Sequence, residues 1–119
     1  IEINPQDALE HGIADGQWVR VSNPFGSCVL KAKVTQTVYP GLVMAQHGFW
    51  FPEEDGEEPH LYDVWRSNIN LLMPHFYVGE LGFGAPYKCL ICKVEPIEES
   101  HDTDMQAIWN RYSQLATPE

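Results

Sequence analysis

Apolar and polar positions alternate most cleanly between Gln17 and Thr35. Val19 and Val21 fall on one side with Arg20 on the other; Cys28, Leu30, Ala32 and Val34 then share a side opposite Lys31, Lys33 and Thr35. A period of two marks half-buried strands, because successive side chains leave a strand on opposite faces. Between the two runs, Asn23-Pro24-Phe25-Gly26 is built of turn-forming residues. Residues 17 to 35 are therefore predicted to form a hairpin. Upstream, Asn4-Pro5-Gln6-Asp7 reads as a helix start, with Asn4 as cap, Pro5 at the first helical position and Asp7 at the positive end of the dipole. Gly12 ends that helix, and Asp15-Gly16 turns the chain into the hairpin. Downstream, Pro40-Gly41 introduces Leu42-Val43-Met44-Ala45, a continuous apolar run that predicts a strand buried on both faces. Leu71-Leu72-Met73 follows a stretch of little periodicity, and Tyr87 to Glu95 predicts one last strand. Met105, Ile108, Trp109, Tyr112 and Leu115 recur at helical spacing behind a cap at Asp102 or Thr103, which predicts an amphipathic closing helix. Short strands separated by frequent turn signals favour a mainly β fold, a small barrel, over a helical bundle.

Length and composition narrow the function classes. A chain of 119 residues with 44% apolar side chains is enough for one domain with a real core. No apolar run approaches the roughly 20 residues of a membrane-spanning helix, so no direct membrane insertion is expected. The chain opens at Ile1 with neither Met nor a signal-type segment, and is read as a piece of something longer. A formal net charge of −10 argues against nucleic acid as a partner, because that affinity comes from Lys and Arg neutralising phosphates. The acidity is local, however. Glu53, Glu54, Asp55, Glu57 and Glu58 form one cluster, and residues 95 to 119, with six acids against Arg111, carry the rest of the excess. The first cluster, with Gly56 and Pro59, reads as a solvated loop whose like charges repel; it lacks the alternating ligands of an EF-hand.

Several motifs invite chemistry and have plainer explanations. Cys89-Leu90-Ile91-Cys92 has redox and zinc spacing, yet inside a strand residues three apart point to opposite faces, so both are read as buried thiols. With three cysteines in all, free thiols are the expectation. His11, His47, His60, His75 and His101 show no ligand spacing, and His11 is read as a last-turn residue of the first helix. No metal site is expected. Gly26-Ser27 raises the possibility of self-cleavage before a serine to give a pyruvoyl decarboxylase, against the plain reading of a turn closing into a strand. Gly79-Glu80-Leu81-Gly82-Phe83-Gly84 follows no clear strand and opens no helix, so it is no phosphate cradle. The acidic loop and the closing helix leave open a protein-interaction module.

Three segments remain as candidate binding elements: Gln46-His47-Gly48-Phe49-Trp50-Phe51, Ser67-Asn68-Ile69-Asn70-Leu71-Leu72 and Ala85-Pro86-Tyr87-Lys88. Their carboxamides pair donors with acceptors, His47 and Lys88 suit an anionic or heteroaromatic ligand, and the aromatics offer flat surfaces. Read apart from context, they are better explained as turn asparagines and core aromatics.

Order supplies the context. Asn4-Pro5-Gln6-Asp7-Ala8, Gly12-Ile13-Ala14-Asp15-Gly16-Gln17-Trp18-Val19, Ser22-Asn23-Pro24-Phe25-Gly26-Ser27, Pro40-Gly41-Leu42-Val43, His47-Gly48-Phe49-Trp50 and Asn68-Ile69-Asn70-Leu71-Leu72 follow one another. In this order they resemble the C-terminal molybdopterin-dinucleotide-binding domain of the dimethyl-sulfoxide-reductase superfamily of molybdenum and tungsten oxidoreductases. The resemblance covers residues 1 to 95, with 96 to 119 as an acidic linker and closing helix. It implies a double-psi β-barrel of the aspartate-decarboxylase-like type, lacking the family's usual first strand. It also implies a bis-molybdopterin guanine dinucleotide cofactor carrying molybdenum or tungsten. By matching motif, His47 and Trp50 would lie at the pterin loop, Asn68 and Asn70 would bond the pterin or its phosphate, and Tyr87 and Lys88 would close the site. No residue here is expected to be catalytic or to bind the metal. Those groups, and any iron–sulfur cluster, would sit in the remaining catalytic domains of the same subunit, with an iron–sulfur electron-transfer subunit as a further partner. The tryptophan-rich and Ser-Asn-Ile-Asn segments look most like the branch near formate dehydrogenases and thiosulfate or polysulfide reductases. The prokaryotic cytoplasm and periplasm both remain open as the compartment.

Overall fold

A computed structural model describes residues 1–74, 90–102, 106, 108–110 and 113. Its strands are β1 (Glu2–Ile3), β2 (Trp18–Asn23), β3 (Gly26–Lys31), β4 (Lys33–Val34), β5 (Val43–Met44) and β6 (Lys93–Pro96). Helix α1 covers Pro5–Glu10, and α2 (Val64–Ser67) is flanked by 3-10 turns at Leu61–Asp63 and Ile69–Leu72. The strands form two three-stranded sheets, β4-β1-β5 and β3-β2-β6, both open among the described residues. In the first, β1 runs parallel to β4 and antiparallel to β5; in the second, β2 is antiparallel to both neighbours. The fold is mainly β with short helices, as the pattern predicts.

The hairpin stands where alternation puts it. Val19 pairs with Leu30 and Val21 with Cys28, and all four side chains are buried while Arg20 is exposed. Asn23 makes the turn: its Oδ1 accepts from the backbone N–H groups of Phe25 and Gly26 at 2.9 and 3.1 Å. Helix α1 also follows its local signals. Asn4 Oδ1 accepts from the Gln6 N–H at 2.9 Å, Pro5 occupies the first turn and Gly12 leaves it at φ 66°. His11 is the residue that caps the helix C-terminus.

Ala32 joins the two sheets. It donates to the Gln17 carbonyl at 2.8 Å and accepts from Gly16 at 2.9 Å, while the next residue, Lys33, donates to Ile1 at 2.8 Å. One continuous segment thus serves β3 in the second sheet and β4 in the first. Ile3, Ala8, Ile13, Val19, Val21, Cys28, Leu30, Ala32 and Leu72 pack between the sheets as the core.

Three expectations need correction. Leu42 to Ala45 is no doubly buried strand: only Val43–Met44 pair, and Leu42 and Met44 are 59% and 55% exposed. β5 borders β1 alone at the sheet edge; Val43 and Ala45 turn toward the core, while Leu42 and Met44 on the opposite face are exposed. The last strand does not include Leu90–Cys92: pairing with β2 begins at Lys93 and runs to Pro96, while residues 87–89 lie outside the described residues. Consequently Cys92 precedes the strand and does not lie inside it, so the strand geometry invoked for the Cys89–Cys92 spacing does not apply. Cys89 lies outside the described residues; Cys28 and Cys92 are free thiols. Gly79 to Gly84 also lie outside the described residues. Of the predicted closing helix, positions 106, 108–110 and 113 are helical and Trp109 is exposed, while Met105, Tyr112 and Leu115 fall outside the described set. Among the described residues no helix is long and apolar enough to cross a membrane, and no His, Cys, Asp and Glu cluster could hold a metal ion.

Candidate functional site

The site is built on the loop that leaves β5. Gly48, between His47 and Phe49, sits at φ 84° in the left-handed region that glycine reaches without a Cβ penalty. Phe49 and Trp50 are about half exposed, whereas Phe51 is buried. Gln46 through Pro52 line a pocket of about 840 Å³ with Trp18, Lys31 and Asp102. Its walls are aromatic with a few polar groups, the composition suited to a flat heteroaromatic ligand.

Two anchors fix this loop. The Phe51 N–H donates to the Tyr62 carbonyl at 2.8 Å, and the Tyr62 N–H donates to the Asp55 carbonyl at 2.7 Å, which ties the acidic loop to the site. Leu61, Tyr62 and Asp63 sit at φ 49°, 56° and 57°, a left-handed stretch that costs L-residues energy and is held by these bonds. The second anchor is Ser67. Its hydroxyl lies 3.0 Å from the Phe49 carbonyl and 3.2 Å from that of Asp63, and the side chain is buried. Arg66 beside it bonds Asp63 at 2.7 Å.

The next turn carries the asparagines. Asn68 caps the 3-10 turn Ile69–Leu72, its Oδ1 accepting from the Asn70 N–H at 2.9 Å, and Asn70 is exposed. The hairpin supports that turn from below. Asn23 Nδ2 donates to the Leu72 carbonyl at 2.8 Å, and a Cβ on Gly26 would stand 2.3 Å from the Leu71 carbonyl oxygen. Gly26 is therefore a close-packing position, consistent with turn chemistry at Gly26-Ser27.

Of the residues singled out in the sequence, His47 and Trp50 come together in the pocket. Asn68 and Asn70 share a turn that begins one residue beyond the Ser67 anchor, and line no part of that pocket. Tyr87 and Lys88 lie outside the described residues. The sequence reading passed over Ser67 as an anchor and Trp18, Lys31 and Asp102 as pocket walls. The signal for Trp18 and Lys31 was present: the turn at Asn23–Gly26 sets a register that pairs them across the hairpin. The acidic loop is as exposed as its charge requires at Glu54, Asp55, Glu57 and Glu58.

Electrostatics separate the pocket from the core. Lys31 bonds the Asp102 carboxylate and holds that carboxyl below the usual range, with help from Ser100 and the Trp18 indole. In the core, burial pushes the Cys28 thiol up to about 11, and the neighbouring Cys92 adds to the effect.

Comparison with known proteins identifies the family. The chain is 35% identical over 94 residues to a biotin sulfoxide reductase of Cereibacter sphaeroides, covering 76% of this chain and 12% of that protein. It is 32% identical over 93 residues to a dimethyl sulfoxide/trimethylamine N-oxide reductase of Rhodobacter capsulatus, covering 78% and 11%. It is 48% identical over 85 residues to the probable oxidoreductase YoaE of Bacillus subtilis strain 168, covering 71% and 11%. The chain thus spans about a tenth of the length of these relatives. Residues 1–87, which contain the hairpin, the pocket loop and the asparagine turn, match the Molydopterin dinucleotide binding domain, and the chain belongs to that family, within the dimethyl-sulfoxide-reductase superfamily of molybdopterin oxidoreductases.

Proposed function

We propose that the chain holds a bis-molybdopterin guanine dinucleotide, carrying molybdenum or tungsten, over the catalytic domains of a longer oxidoreductase subunit. The observation that carries this reading is the Ser67 bond to the Phe49 carbonyl. It sets the loop of His47 and Trp50 beside the turn of Asn68 and Asn70, within the residues that match the family. The donor set fits the group. Asn70, exposed, offers a carboxamide whose alternating donor and acceptor match the edge of a pterin or guanine. Asn68 spends its carbonyl oxygen on the Asn70 N–H and keeps its amide N–H groups for a ring nitrogen or a phosphate oxygen. Trp50, 53% exposed at the pocket, presents an indole face on which a heteroaromatic ring can lie. His47 adds a hydrogen-bonding ring at the same wall. Tyr87 and Lys88 would close the site, Lys88 offsetting pyrophosphate charge.

When bound, the cofactor supplies redox chemistry at its metal, while the protein fixes orientation and electrostatic surroundings. The fold we assign is a double-psi β-barrel to which both open sheets belong, β6 through Pro96 included. Metal ligand, any iron–sulfur cluster and the electron-transfer partner belong to other domains and subunits in this reading. The names of the relatives support a reductase of S-oxides or N-oxides over the formate dehydrogenase branch. Neither a pyruvoyl decarboxylase nor an independent interaction module gains support from them.

The test is the complete subunit carrying Asn70→Ala or Lys88→Ala, assayed for pterin content and turnover. Loss of a hydrogen bond to a charged or ring group predicts a fall in cofactor affinity of about tenfold or more. Unchanged pterin content and turnover in both variants would sink these assignments.

A further inference from the structure

The segment that follows β6 does more than end the sheet. The Ile97 N–H donates to the Trp18 carbonyl at 3.0 Å and carries the ladder past the strand. The His101 ring then stacks on Phe51, centroids 5.4 Å apart at 15°, and meets Trp18 edge-on at 5.2 Å. These contacts fix Asp102 in the pocket wall. There its Oδ1 accepts from both Lys31 Nζ and Trp18 Nε1, the latter at 3.3 Å, while Oδ2 accepts from the Ser100 hydroxyl at 3.2 Å.

Trp18 and Lys31 are direct cross-strand partners, so one ammonium and one indole N–H converge on a single oxygen from two rigid strands. That geometry suits oxyanions in general, and Asp102 is the oxyanion present. We propose that Lys31 and Trp18 form an oxyanion subsite for a phosphate group, occupied in cis by Asp102, so that residues 97–102 are a strap whose tip an incoming phosphate displaces. The exchange is feasible because the ion pair is exposed, with side chains 49% and 59% accessible, and exposed pairs hold weakly. A phosphate group brings more negative charge and more acceptor oxygens than a carboxylate. That the phosphate is one of the dinucleotide's rests on the proposed function; the subsite itself does not.

The experiment uses the full chain labelled with 5-fluorotryptophan, with the Trp18 resonance assigned through Trp18→Phe and inorganic pyrophosphate as the probe. Pyrophosphate is expected to shift the Trp18 resonance saturably. Asp102→Asn should bind it about three to five times more tightly, the scale set by a lost exposed ion pair. Ser100→Ala, which loosens Asp102 without changing its charge, should move affinity in the same direction. Lys31→Met should abolish the saturable shift and Lys31→Arg should retain it. Equal affinity in wild type and both strap variants, an undiminished shift in Lys31→Met, or the same shift from sodium chloride at matched ionic strength overturns the proposal. No pterin is read in this experiment. A positive result alongside normal pterin content in Asn70→Ala and Lys88→Ala would leave the subsite standing and the Asn70 and Lys88 assignments rejected.

Discussion

Ser67 Oγ reaches the Phe49 carbonyl at 3.0 Å across eighteen residues of sequence, from a side chain only 1% exposed. Ser67 closes α2, and the asparagine turn begins immediately after it. That hydroxyl and the Phe51–Tyr62 backbone bond together tie the aromatic loop to the segment that leads into the amide-bearing turn.

Replacing Ser67 by Ala removes the donor and strands a carbonyl that this hydroxyl had satisfied. The expected cost is about 1–3 kcal/mol of folding stability, measured by urea denaturation. Cofactor content of the complete subunit should fall with it, since the aromatic loop loses one of the two bonds that tie it to the segment bearing the asparagines. A variant of unchanged stability and loading would show that the two segments are held apart by other means.

Gly26→Ala tests the support beneath the asparagines. The new Cβ would meet the Leu71 carbonyl oxygen at 2.3 Å and its carbon at 3.1 Å, and neither is the end of a flexible side chain. Overpacking of this kind costs about 1–3 kcal/mol. Thermal denaturation should report that loss, and cofactor loading should fall because the turn bearing Asn70 must move. A fully stable alanine variant would contradict the close approach.

The raised pKa of Cys28 has a signed consequence. Burial is the main cause, and it favours the neutral thiol, so the folded state holds this proton more tightly than the unfolded chain does. The associated stability is present below the ordinary thiol value of 9.0 and is lost as pH rises toward about 11. Its size is on the order of 2 kcal/mol. Urea midpoints should therefore decline over that window in wild type and decline less in Cys28→Ala. At pH 8 the native thiol should resist iodoacetamide and react once the chain is unfolded, as expected of a buried protonated sulfur. Prompt alkylation of Cys28 itself in folded protein, located by peptide mapping to separate it from the partly exposed Cys92, would refute the assignment.

Local chemistry made some of this architecture readable from sequence. The cap at Asn4, the turn at Asn23 and the alternation of Val19, Val21, Cys28 and Leu30 each act within a few residues, and each stands as read. Leu42 to Ala45 misled because an apolar run carries no periodicity, and whether a second layer covers it depends on distant chain. The same limit applies at the site. His47 and Trp50 stood out as residue types, but Ser67 sits in a stretch without periodicity and acts on a loop far away in sequence. Lys31 and Trp18 are a pair that turn register reveals, whereas their third member, Asp102, lies 71 residues beyond Lys31. No local pattern encodes such a meeting.

Because Ala32 bonds back to Gln17 and Gly16 while Lys33 bonds Ile1, the sheets share an uninterrupted length of backbone. The sheets also share one core of buried residues, so opening either exposes apolar surface of the other. Melting β1 frees the far end of the hairpin strand, and fraying the hairpin removes the rail along which β1 lies. The two sheets are thus one cooperative unit, and the loops of the site rest on a platform that opens whole or stays shut.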